Sequence, residues 1–283
     1  MRTFVDGIAI YRDFDRPGVG APAVVFPGAG LVGLDFWSIA TAGTVLYDRA
    51  GTGWSRDVAL PRSATSVATE LRDTLLAAEV PGPWILIGHS LGGVYARRFA
   101  QLFPADTRGL LLLDPGHEDL FDYLPPAAAD LNAAMKPDAA DLPDLTAEQI
   151  AAARVAYARL LAAWPPSVRD ELVDHHLAHW RTGLLESANL ESDVYPEVRG
   201  GGPVPDVPVT VLSAGAGNPA WAAFGEPELI RQALDGIRKL HESLAAASSR
   251  GEHRVLDGAT HQYLHIEQPG AVLDALRDLS QKI

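Results

Sequence analysis

At 283 residues and 47% apolar composition, the chain can bury a large core as one domain, or as a domain carrying a sizeable insertion. Its 36 acidic residues against 23 Lys or Arg leave a formal charge of −13, which argues against nucleic acid or an anionic membrane as partner. With no cysteine, a disulfide framework, a thiol nucleophile and a thiolate metal site are excluded. The stretch from Met1 to Gly7 has no basic region followed by a long apolar run, and no segment reads as a membrane span. The expectation is a soluble, cytoplasmic protein without a cofactor, its oligomeric state left open.

Phe4 to Phe14 reads as one or two short strands broken at Asp6-Gly7, and Arg16–Gly20 as a turn. Ala23 to Phe26 is an unbroken apolar strand of the kind buried on both faces of a parallel sheet. It runs into Pro27–Gly28–Ala29–Gly30. A short helix is expected over Leu34–Ala40, then a strand at Thr44–Tyr47 that ends in Asp48–Arg49–Ala50–Gly51–Thr52–Gly53–Trp54–Ser55. Val67, Leu71 and Leu75 recur at helical spacing within Ser63–Glu79, which Pro81-Gly82-Pro83 terminates.

Next comes the most informative stretch. Four apolar residues, Trp84 to Ile87, lead directly into Gly88–His89–Ser90–Leu91–Gly92–Gly93 and a helix through about Leu102. Gly-x-Ser-x-Gly is common by chance, but strand, abrupt turn and helix supply the context in which it presents a nucleophile. Gly88 and Gly92 lack the Cβ atoms that would collide where strand and helix cross. Leu91 opens the helix, so its N–H is an unpaired donor at the mouth of the site. Gly109 to Leu113 is a further buried strand, ending at Asp114-Pro115.

The strand–helix rhythm then breaks. From His117 to Gly202 the pattern is helical only, with helices expected over Thr146–Ala163 and Ser167–Leu185, and the whole region reads as a helical insertion over the sheet's carboxyl edge. Its Leu residues, Trp164 and Trp180 either pack the insertion itself or line an apolar acyl or aryl pocket. His175 and His179 share a helical face with His176 nearby, yet no third ligand spacing accompanies them, so no metal site is assigned. Strands resume at Val207–Leu212 and Arg254–Leu256, separated by a helix over Glu228–Ser248, and a last helix covers about Pro269–Leu279.

A serine hydroxyl is a poor nucleophile unaided and needs a base, itself held by an acid. Of nine histidines, His261 follows a late strand in a Gly/Thr loop, where a base belongs. His89 is assigned a supporting role beside the turn, and His265 packs or caps. Asp114, at the end of the strand after the nucleophile strand, is the preferred acid. The loop Ser213–Pro219 holds no carboxylate, and Glu226 is the alternative beyond it; Asp119 and Glu118 are further possibilities.

These features resemble the α/β-hydrolase superfamily. The Gly88–Gly93 turn, the Asp48–Ser55 loop and the late His261 carry the match, which covers nearly the whole chain outside the insertion. The resemblance implies a mostly parallel central sheet flanked by helices, with residues 1–116 and 203–283 as catalytic core and 117–202 as a helical cap. It also implies Leu91 and Ala29 N–H groups as an oxyanion hole, with Gly30 as the substitute donor. Pro27-Gly28 stands where that superfamily usually has His-Gly, and the acid sits one strand earlier than its commonest position. The activity implied is acyl-enzyme hydrolysis of a small or medium apolar carboxylic ester. Acyl transfer, amide, lactone, thioester or carbon–carbon hydrolysis, and non-catalytic binding of a small molecule, share the same architecture.

Overall fold

The computed structural model describes residues 2–18, 20–134, 137–219, 221 and 225–283. Among them, one sheet is built from β1 (Arg2–Val5), β2 (Ile8–Tyr11), β3 (Ala23–Phe26), β4 (Thr44–Tyr47), β5 (Trp84–His89), β6 (Thr107–Leu113), β7 (Val209–Ala214) and β8 (Gly251–Leu256). The spatial order is β1-β2-β4-β3-β5-β6-β7-β8. The first two pairings, β1 with β2 and β2 with β4, are antiparallel. All later neighbours are parallel.

Because successive strand side chains face opposite ways, each central strand feeds two apolar layers. Val24, Phe26, Leu86, Leu110 and Leu112 meet Leu71 of α1 (Ala64–Ala77) and Phe99 of α2 (Leu91–Leu102) on one face. Val25, Ile85, Ile87, Leu111 and Leu113 meet Phe36 and the C-terminal helix residues Val272 and Leu276 on the other. That is why these strands read as unbroken apolar runs: both faces are covered.

Between β6 and β7 lie α3 (Leu120–Tyr123), α4 (Pro126–Ala134), α5 (Ala147–Leu160), α6 (Pro166–Ala178), α7 (Thr182–Ser187), a π-helical turn at Leu190–Val194 and α8 (Tyr195–Gly200). Thr146 caps α5 reciprocally: its Oγ accepts from Gln149 N–H at 3.2 Å, and Gln149 Oε1 accepts from Thr146 N–H at 2.8 Å. The insertion is not a detached unit. Leu161, Trp164, Leu172 and Val173 join the second apolar layer, and Val194 and Val198 the first.

The helix expected over Ser167–Leu185 is two, since α6 ends at Ala178 and α7 starts at Thr182. The segment expected as helix over Leu34–Ala40 is a 3₁₀ stretch, Gly33–Ile39, shaped by buried Asp35, whose Oδ2 accepts from Val32 N–H at 2.8 Å. After β7 the chain forms α9 (Pro227–Ala246), and after β8 come α10 (Leu264–Glu267) and α11 (Pro269–Gln281). No helix among the described residues is long and apolar enough to cross a membrane.

Candidate active site

β5 ends at His89 and α2 starts at Leu91, so Ser90 alone makes the reversal from strand to helix. Its backbone lies at φ 50°, ψ −120°, a conformation that costs an L-residue about 1–3 kcal/mol. Packing over-determines it. A Cβ on Gly92 would fall 2.0 Å from Phe26 O, and one on Gly88 would fall 2.6 Å from Gly93 Cα, so the close crossing exists only with glycine at both positions. Ser90 N–H donates to Leu113 O at 3.1 Å, and Gly93 and Gly116 N–H groups both donate to Ser90 O at 2.9 Å.

His261, in the turn after β8, places Nε2 3.1 Å from Ser90 Oγ. Its Nδ1 lies 2.5 Å from Asp114 Oδ2. The backbone holds the ring's loop as well, through His261 N–H to Gly217 O at 2.8 Å. Asp114 directly follows β6 with φ 44°, and its other oxygen accepts from Ala214 N–H at 2.9 Å. The end of β7 and the loop after it, which has no carboxylate between Ser213 and Pro219, thus contribute main-chain groups to both Asp114 and His261. Burial raises the Asp114 pKa, but the hydrogen bond and electrostatic interaction with His261, with smaller contributions from His241 and Ala214 N–H, outweigh it and hold the pKa at about 2.

His89 turns away from Ser90: its Nε2 meets His261 O at 2.7 Å, an acceptor, so this nitrogen carries the proton. Burial, then the neighbouring His265 and His261, hold the His89 pKa well below the ordinary histidine value. His265 is fully buried and stacked on Phe36 with ring centroids 4.1 Å apart. Gly28 lies against the turn, where a Cβ would stand 2.6 Å from His89 Nδ1 and 3.3 Å from Ser90 Cβ. Ala29 follows it. Leu91, the first residue of α2, has one of the N–H groups that no helical carbonyl can reach.

Two expected alternatives are placed elsewhere. The N–H of Gly30, the expected substitute donor, is taken by Glu186 Oε2 at 2.8 Å. Glu226 is exposed at the N-terminus of α9, while His261 Nδ1 pairs with Asp114. Glu118 is bound by Arg97 through two bonds of 2.6 and 2.7 Å, and Asp119 pairs with Arg199 at 2.9 Å. In α6, His176 Nε2 lies 2.9 Å from Asp35 Oδ1 and its ring stacks on Tyr157, while His175 packs against Trp54 and against His179, ring centroids 4.6 Å apart. Trp164 Nε1 donates to Leu34 O at 2.8 Å in the buried layer. Arg181 lies over the Trp180 ring at 4.2 Å.

A group that sequence reasoning missed stands behind Asp114. Ser213 Oγ lies 2.7 Å from His241 Nδ1 and 2.8 Å from His253 Nε2, and His241 Nε2 donates to Pro115 O at 3.1 Å. This chain buttresses the peptide next to Asp114. Positions 213, 241 and 253 share no spacing motif; only the packing of α9 on β7 and β8 brings them together.

Ser90, Asp114 and His261 open on a cavity of about 160 Å³ walled by Leu120, Trp221, Leu234 and Ile237. Arg238 and Asn132 add polar groups to its lining. A larger cavity, about 320 Å³, lies between Arg97 and Leu244 and contains none of the three.

Comparison with known proteins gives the family and the fold. A family model described as the alpha/beta hydrolase family matches residues 23–275. An uncharacterized protein of Schizosaccharomyces pombe is 37% identical over 71 residues, covering 25% of this chain and 13% of its own length. Uncharacterized protein YqjL of Bacillus subtilis is 31% identical over 129 residues, which are 43% of this chain and 51% of YqjL. The chain therefore spans about half or less of these curated relatives. Among solved structures, E-2-(acetamidomethylene)succinate hydrolase superposes with a TM-score of 0.63 at 17% identity, covering 99% of both chains. At that identity the likeness is one of fold.

Proposed function

The chain belongs to the alpha/beta-hydrolase family, and from that premise we propose that it is a serine hydrolase working through an acyl-enzyme. Ser90 is the nucleophile, His261 the base and Asp114 the acid. Residues 117–202 act as the cap over a core made of 1–116 and 203–283. The preferred substrate is a small or medium carboxylic ester with an apolar acyl or aryl part, a size consistent with the cavity of about 160 Å³ and its Leu, Ile and Trp walls. One observation carries the reading: His261 bridges Ser90 Oγ at 3.1 Å and Asp114 Oδ2 at 2.5 Å through its two ring nitrogens.

In this mechanism Asp114 accepts a hydrogen bond from Nδ1–H, which leaves Nε2 with the free lone pair. Nε2 takes the hydroxyl proton as Ser90 Oγ bonds to the ester carbonyl carbon. The carbonyl oxygen becomes an oxyanion held by the N–H groups of Leu91 and Ala29. The tetrahedral intermediate collapses with loss of the alkoxide, which receives the proton from His261. Water then attacks the acyl-enzyme, giving its proton to His261, and the acid product leaves as Ser90 is re-protonated.

The test is a panel of esters in which acyl and alcohol lengths vary independently, alongside labelling by a fluorophosphonate. The expected result is one phosphonyl group per chain on Ser90, with labelling lost in His261→Ala. A wild-type protein that is neither labelled nor active on any ester would overturn the reading in favour of non-catalytic binding. Turnover with an amine or alcohol acceptor in place of water would identify an acyltransferase.

A further inference from the structure

The Asp48–Ser55 loop carries part of the family resemblance, yet the mechanism above gives Arg49 no role. The side chain is 1% exposed and holds a cluster that joins core to insertion. Its terminal nitrogens donate to Pro27 O at 2.6 Å and to Gly28 O at 3.0 Å, and its Nε donates to Glu186 Oε1 at 2.8 Å. Glu186, 3% exposed, comes from α7 of the insertion, and its other oxygen accepts the Gly30 N–H at 2.8 Å. Tyr95 closes the cluster from below, its ring centroid 5.7 Å from the guanidinium.

Peptide groups are planar and trans, so the C=O of one residue and the N–H of the next point in opposite directions from one rigid unit. Three consecutive units are therefore gripped. Arg49 holds the Pro27–Gly28 and Gly28–Ala29 peptides by their carbonyls, and Glu186 holds the Ala29–Gly30 peptide by its N–H. The middle unit is the one that carries the Ala29 N–H. Holding Gly28 O against Arg49 turns that N–H away from the guanidinium, leaving it as the oxyanion donor. The insertion also packs directly on this loop: a Cβ added to Gly183 would lie 3.4 Å from Ala29 O, and one on Gly30 would lie 3.1 Å from Gly183 Cα.

We propose that Arg49 and Glu186 are positioning residues that orient the Gly28–Ala29 peptide, so that the oxyanion hole is complete only while α7 is seated on the core. This rests on the serine-hydrolase reading and adds to it a dependence of the reaction on the insertion. Burial opposes the Arg49 charge, but the Glu186 carboxylate outweighs burial and keeps the guanidinium pKa above its ordinary value. The guanidinium is therefore charged throughout the working pH range.

The test uses the full chain with Glu186→Ala and the double variant Arg49→Met/Glu186→Met. The double change replaces a buried ion pair by apolar groups of similar volume, which folds often tolerate, whereas the single one strands a buried charge. Folding is checked by thermal melting, and kcat and KM are measured on a short-chain ester with the rate of Ser90 phosphonylation. Small displacements of catalytic donors cost up to about 100-fold in rate. The expectation is a folded double variant whose kcat and phosphonylation rate fall about 10–100-fold, with KM within about threefold of wild type. A folded double variant with wild-type kcat overturns the clamp while leaving wild-type Ser90 labelling intact. Wild-type protein that is not labelled at Ser90 overturns the underlying serine reading, and the clamp with it.

Discussion

Asp114 Oδ2 and His261 Nδ1 lie 2.5 Å apart although 147 positions separate them in the chain. The acid is at the end of β6 and the histidine is beyond β8, with β7 between the two strands. β7 and the loop after it span this gap with main-chain groups, Ala214 N–H binding Asp114 and Gly217 O receiving His261 N–H.

That relationship predicts which carboxylate matters. Asp114→Asn removes the acceptor that fixes the His261 tautomer, and kcat is expected to fall about 10⁴-fold. Glu226→Gln, at the exposed start of α9, is expected to leave kcat within about twofold. Steady-state kinetics on one ester decides between them, and the reverse ranking would move the acid.

Ser90→Ala is expected to lower kcat by at least about 10⁴-fold. The fold should persist, because the β-carbon remains and the bonds that lock the turn are main-chain ones. Circular dichroism and a melting curve matching wild type, together with lost turnover, are the expected pair of results. Retained turnover would sink the nucleophile assignment.

Gly92→Ala tests the architecture rather than the chemistry. Its Cβ would meet main-chain oxygen at 2.0 Å, and main chain cannot move aside as a side chain can. Severe overpacking costs several kcal/mol, so the variant is expected to lose soluble expression. A well-folded, fully active Gly92→Ala protein would show that the crossing of β5 and α2 is looser than this.

Acid should destabilise the fold well above the range where carboxylates titrate. Burial holds His265 at about 3 and His117 and His175 at about 4, and it also lowers His89, His241 and His253. Each folded pKa lies below the unfolded value of about 6.5, so the unfolded chain binds more protons and stability falls as pH drops below that value. His176 acts in the opposite sense, since Asp35 outweighs its burial and raises it. Asp48, which burial raises to about 6, acts in the same sense as His176, and six groups against these two set the net sign. The Asp114 contribution is present above the ordinary carboxylate pKa and is lost only as pH falls toward about 2. Urea unfolding between pH 7 and 4.5 should therefore show a steady loss of stability, shallower by about one proton in His265→Phe. A flat profile would contradict it.

The sequence by itself determined the elements whose causes are local. Unbroken apolar runs such as Ala23–Phe26 and Trp84–Ile87 can only be strands buried on both faces. Gly88-x-Ser90-x-Gly92 between strand and helix leaves one way to turn, and Thr146 with Gln149 announces the start of α5. Asp114 and His261 were legible because they stand where strands of one parallel sheet end, and parallel strands end on the same edge. Only the tertiary structure decided what depends on contacts between distant elements. It set Glu186 against Gly30 and Arg49, aligned His241, Ser213 and His253 behind the acid, and broke the helix expected over Ser167–Leu185 after Ala178. No local pattern encodes these, because a buried charge or imidazole is satisfied by whichever partner packing brings to it, and sequence spacing does not measure that distance.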